Sequence, residues 1–178
     1  MSISAEIKER IGLLINEGRL FHLSPWLGGE ERIRTMFVSQ EVAGDIQPPF
    51  GDSFDGIRHA EFREVLDSFI LGWPLTVAED PHNKPSFAML ARVHPVTDEI
   101  WDLRCIEPDP GIRCFGLFAG KDTFIALTWD YRENLCGEIG WRKEIECCKA
   151  KWNELFGTLA PFKGRSIDEY LSEPYRAV

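Results

Sequence analysis

Apolar residues at Ile3, Ile7, Ile11, Leu14 and Ile15 recur at helical spacing, which predicts an amphipathic helix over about 4–17. Gly18 suits its end, because glycine takes the left-handed conformation that closes a helix without steric cost. A second stripe, Ile57, Phe62, Val65, Leu66, Phe69 and Ile70, predicts a helix over about 56–71. Asp55 stands as its N-cap and Gly72 as its end, and Trp73-Pro74 bars continuation. Residues 19–23 and 75–78 read as short strands, and 32–40 fits either a helix or a strand. The Gly- and Pro-rich stretch 43–56 reads as a loop.

From Ser86 the pattern changes. Four strand-like runs, 86–93, 99–106, 111–118 and 123–129, follow one another through short connections rich in Pro, Asp and Gly. Short connections make antiparallel neighbours, so the runs predict a four-stranded antiparallel meander over about 86–129. Its middle strands are apolar on both faces and call for cover on both. Trp141, Ile145, Cys148, Trp152 and Leu155 form the stripe of a covering helix over 141–156. Ser166 and Glu169 have capping-box spacing for a terminal helix, Ile167–Leu171. The expected fold class is α+β: one domain over 1–178, with a helical elaboration over about 1–85 and the sheet with its C-terminal helices over about 86–178.

With 178 residues, 44% hydrophobic and 28% charged, the chain has the composition of a globular domain. A chain of this size needs no disulfide or metal staple. Lys and Arg number 20 against 29 Asp and Glu, a net charge of −9, which argues against a general nucleic-acid or DNA binder. No apolar run is long enough to cross a membrane, and Met1–Glu6 lacks a leader pattern. Cys105, Cys114, Cys136, Cys147 and Cys148 contain no CxxC pair and read as reduced, mostly buried thiols of a cytoplasmic protein. A hairpin centred between Asp109 and Pro110 would set Cys105 opposite Cys114. His22, His59, His82 and His94 stand singly, and phosphate-loop, dinucleotide, GxSxG and HExxH motifs are absent, so neither metal nor cofactor is expected.

Arginines carry the candidate chemistry. Arg104 and Arg113 lie on adjacent strands, Arg132 follows the fourth strand and Lys121 sits at a turn. Together they could form an anion-binding patch, since guanidinium groups suit phosphate. Asp102, Glu107, Asp130 and Glu133 compete as neutralising partners.

The strings Ile100-Trp101-Asp102-Leu103-Arg104, Gly111-Ile112-Arg113-Cys114-Phe115 and Phe124-Ile125-Ala126-Leu127 resemble the sheet of RelE/HigB-type toxins over about residues 86–132. The chain as a whole looks like a phage-related bacterial protein. The resemblance implies a ribonuclease in which Arg104, Arg113 and Arg132 clamp phosphate and Tyr131 serves as acid or base. The acidic balance and lack of a catalytic motif favour instead a non-catalytic interaction or regulatory protein. Its expected partner is another protein or a second copy of itself, with RNA a partner only under the toxin-like reading. A small-molecule enzyme with a pocket between helix and sheet is the third alternative.

Overall fold

The computed structural model describes residues 3–26 and 31–178, so Met1 and Ser2 of the leader expectation lie outside it. Among the described residues, eight strands form one mixed sheet: β1 (Leu20–His22), β2 (Thr35–Ser39), β3 (Leu75–Ala78), β4 (Leu90–Arg92), β5 (Ile100–Cys105), β6 (Ile112–Gly120), β7 (Thr123–Tyr131) and β8 (Tyr175–Ala177). Their order across the sheet is β1-β2-β7-β6-β5-β4-β3-β8. The expected fold class, a four-stranded antiparallel meander, is therefore overturned. Strands β4 to β7 are antiparallel neighbours, but β2 adds to β7 in parallel, and β3 is parallel to both β4 and β8. Residues 32–40 supply a strand because Met36 and Val38 enter one core while Phe37 packs on the other. That burial on both faces is the habit of parallel-paired strands.

Both faces are covered. On one lie α2 (Gln40–Asp45), α3 (Phe54–Ile70) and α5 (Ile167–Tyr170), whose Val42, Phe62, Leu66, Phe69 and Tyr170 pack on Met36, Trp101, Leu103, Phe118 and Phe124. On the other lie α1 (Ala5–Asn16) and α4 (Gly137–Phe156), with Ile7, Leu14, Cys148 and Trp152 on Ile100, Phe115, Leu117, Ile125 and Leu127. Each large apolar side chain buried this way contributes about 1.5–3 kcal/mol.

Several local expectations shift. Helix α2 occupies the start of the expected loop, because the Ser39 side chain accepts from Val42 N at 3.3 Å while donating to Leu127 O at 2.7 Å. Ser53, not Asp55, caps α3, accepting from Gly56 N at 3.0 Å. Gly72 closes α3 at φ +74°, where a Cβ would strike Ile33 at 2.5 Å. Helix α4 begins four residues before the expected start at 141. Only Leu90–Arg92 of the 86–93 run pairs, since Thr76 Oγ1 donates to Phe87 O at 2.9 Å and turns the chain there. At α5 the capping box is incomplete: Ser166 makes no cap bond, and Glu169 accepts from Arg165 N at 2.9 Å. The β5–β6 hairpin is centred one residue earlier than expected, so Cys105 faces Ile112 and Cys114 faces Leu103. All five thiols are free, three buried and two, Cys136 and Cys147, exposed.

Candidate anion-binding cleft

Strand alternation gathers charged residues beside a cleft on the α4 side of the sheet. Ile100 and Phe115 enter the core under α4, so Asp102 and Arg104 of β5 and Arg113 of β6 share their face. Arg104 and Arg113 are register partners. Three further segments close around this end of the sheet. The turn after β3 contributes His82 and Lys84, the segment after β4 contributes His94, and the 3-10 turn 132–135 with the first turns of α4 contributes Arg132 and Trp141. The cleft has a volume of about 650 Å³, within the range of small-molecule sites. Val93, Leu135 and Ile145 give it an apolar wall.

Of the cations at this end of the sheet, only Arg104 is paired with a carboxylate among the described residues. Asp102, wholly buried, pairs with Arg104 at 2.8 Å and leaves its second oxygen without a hydrogen bond among the described residues. Arg104 also donates to Pro85 O at 3.2 Å, which fixes the backbone beside Lys84. Among the described residues, Lys84, Arg113 and Arg132 form no ion pair. Lys84 Nζ lies 5.7 Å, and Arg132 Cζ 6.0 Å, from the Trp141 ring centroid. An aromatic face steadies a cation while leaving its formal charge intact. Trp141 is itself set edge-on against Phe115, with centroids 5.5 Å apart. Burial, followed by the nearby Arg104 and Arg113, pulls the Lys84 ammonium down to about 8 against the opposing pull of Asp102. Burial likewise lowers Arg113, and Arg104 and Arg132 add to the effect. The N-terminus of the 20-residue helix α4 adds its dipole to the positive potential.

Of the carboxylates expected to neutralise this patch, Glu133 and Asp130 are engaged elsewhere; Glu138, at the start of α4, lines the cleft and lies 3.8 Å from Arg142. Glu133 forms a two-pronged pair with Arg58 of α3 at 2.8 and 2.7 Å, and Asp130 accepts from Tyr131 N and Asn134 Nδ2. Sequence proximity misled here because the chain turns sharply after β7 and sends Glu133 to the opposite face.

The candidate residues do not all meet. Arg104, Arg113 and Arg132 lie near one another, and of the three Arg132 lines the cleft. Lys121 sits in the β6–β7 turn, at the far end of both strands from Arg113. Tyr131 packs on the α3 face: Arg58 stacks 3.7 Å above its ring, and His59 Nε2 lies 3.1 Å from its hydroxyl. Burial and the adjacent Asp55 raise the Tyr131 phenol above its ordinary value. A clamp-and-acid arrangement joining Tyr131 to the three arginines is thus not assembled. Lys84 and Trp141 carry no site signal in the sequence, the first lying in a featureless polar turn and the second matching a core stripe. No group of three or more His, Cys, Asp or Glu able to hold a metal ion occurs among the described residues. Neither a scan of protein-family models nor searches of curated proteins and of solved structures found a match to the chain.

Proposed function

We propose that this protein is a ligand-binding, regulatory protein whose cleft takes a small organic anion, a phosphate or carboxylate joined to an apolar body. The carrying observation is the pair Lys84 and Arg132, which line the cleft beside an apolar wall with Arg113 close to both, all three without an ion pair among the described residues. Cationic groups desolvated in this way attract an anion more strongly than solvated surface charges do. The apolar wall of Val93, Leu135 and Ile145 favours a ligand with a hydrocarbon part over bare phosphate. The concentration of cations in one cleft on a chain of net charge −9 weighs against the ribonuclease reading. A polynucleotide needs a positive track, and only its first phosphate or two would find partners here.

Calorimetric titration of the full chain tests this with phenyl phosphate, phenyllactate and the uncharged 2-phenylethanol. Both anions are expected to bind and the alcohol not to bind. A single-stranded RNA 20-mer at about 150 mM salt is expected to bind no tighter than phenyl phosphate, since screening over roughly 8 Å confines attraction to the cleft. Micromolar RNA binding lost in both Arg104→Ala and Arg113→Ala would restore the toxin-like reading.

A further inference from the structure

We infer that Lys84 captures carbonyl compounds: its amine condenses with the keto group of a 2-oxo acid lodged in the cleft, giving a reversible imine. The inference rests on the anion-binding reading above and narrows its ligand to anions whose carboxylate adjoins a carbonyl. Three features set Lys84 apart. Its backbone is held, since Arg104 donates to Pro85 O and His82 N donates to Asp80 Oδ1 at 2.8 Å within the same turn. Its side chain is half-buried against Trp141, with no carboxylate to lock it as an ammonium among the described residues. Burial, with the neighbouring cations Arg104 and Arg113, favours its neutral amine against the opposing influence of Asp102 and Asp80. Lys149 and Lys151 lie under the opposite influence: the first pairs with Asp98 at 3.0 Å and is raised, and the second pairs with Glu154 at 3.2 Å.

The chemistry closes without an added oxidant or reductant. The Lys84 nitrogen lone pair forms a bond to the keto carbon, and the carbonyl π electrons move to oxygen. A proton passes from nitrogen to that oxygen, giving a carbinolamine. Departure of the oxygen as water, carrying a second proton and the C–O electron pair, leaves the C=N bond once nitrogen gives up its remaining proton. His82 and His94, with ring centroids 4.8 Å apart, line the same cleft. The carboxylate of the oxo acid is matched by Arg132, the arginine of the cleft lining.

A lysine titrating near 8 holds roughly a tenth of its amine unprotonated at pH 7, against about 0.03% at the ordinary lysine value. The full chain is incubated with phenylpyruvate and cyanoborohydride at neutral pH, and the reduced adducts are located by peptide mass spectrometry. Lys84 is expected to be labelled at least ~10-fold faster than any other lysine, because its free-amine fraction is so much larger. Phenyllactate, which has the carboxylate but no keto group, is expected to slow that labelling. Lys84→Arg is expected to abolish the fast adduct, because a guanidinium does not form the imine, whereas Lys149→Arg, outside the cleft, is expected to leave it in place. Labelling spread over the surface lysines with phenyllactate binding intact overturns the imine and leaves the anion site standing. Loss of phenyllactate binding in the unaltered chain overturns the anion site and, with it, the inference built upon it.

Discussion

Replacing Arg34 with Met is expected to destabilise the protein by about 3–5 kcal/mol, the cost of removing one member of a buried charged network. Arg34 is 1% exposed and donates to four carbonyls: Phe69 and Trp73 at the end of α3, and Ser172 and Pro174 beside β8. Its Nε lies 4.0 Å from Asp122, whose carboxylate accepts from both the backbone N and the hydroxyl of Ser172. One guanidinium therefore ties the β6–β7 turn, the end of α3 and the C-terminal segment together. Met fills most of the volume but leaves those carbonyls without their donor. For a chain of this length, each kcal/mol shifts Tm by about 2–4 °C, so a fall of roughly 6–20 °C is expected in a thermal melt. Arg34→Lys is expected to recover only part of the loss, because a single ammonium cannot span four acceptors. A Tm within about 2 °C of the unaltered chain would show that the C-terminal strand is not anchored through this residue.

Reversing a cleft charge is expected to be the largest change in binding. Arg132→Glu removes an attraction and installs a repulsion in a half-buried setting, and should weaken phenyl phosphate binding by at least ~30-fold, about 2 kcal/mol. The Arg132 side chain makes no hydrogen bond or ion pair among the described residues, and the backbone bond from Arg132 N to Gly111 O at 2.9 Å survives the change, so Tm should stay nearly unchanged. The same site should carry a pH signature. A bound anion favours protonated Lys84 and raises its titration above the free value of about 8. Affinity is therefore full below that value and falls as pH rises through it, by up to about tenfold per unit. The fall should vanish in Lys84→Met. An Arg132→Glu protein that binds phenyl phosphate as well as the unaltered chain would place the ligand elsewhere.

Legibility in the sequence followed the range of the interactions. Helix α4 and strands β5, β6 and β7 are set by local periodicity and short turns, and could be read directly. The parallel pairing of β2 with β7 joins residues more than 80 positions apart, and no local pattern encodes it. Strand β8, Tyr175-Arg176-Ala177, is too short and too polar to announce itself, yet it pairs with Leu75–Val77 along the sheet edge. The site divides the same way. That Arg104 and Arg113 are neighbours followed from the hairpin. Alternation also places Tyr131 away from Asp130, the register partner of Arg113. The diversion of Glu133 to Arg58, 75 residues away, and the arrival of Lys84 beside Arg113 depend on the packing of α3 and on the turn after β3. Neither leaves a trace in spacing or composition.

The six tryptophans give the most direct test that the cleft is the binding site. In a heteronuclear NMR titration with phenyl phosphate, the indole N–H resonance of Trp141, assigned from Trp141→Phe, should move progressively and saturate. Those of Trp26 and Trp73, exposed and outside the cleft lining, should stay fixed. A saturating shift at Trp26 or Trp73 with Trp141 unmoved, or no shift at any indole at millimolar ligand, would contradict the account.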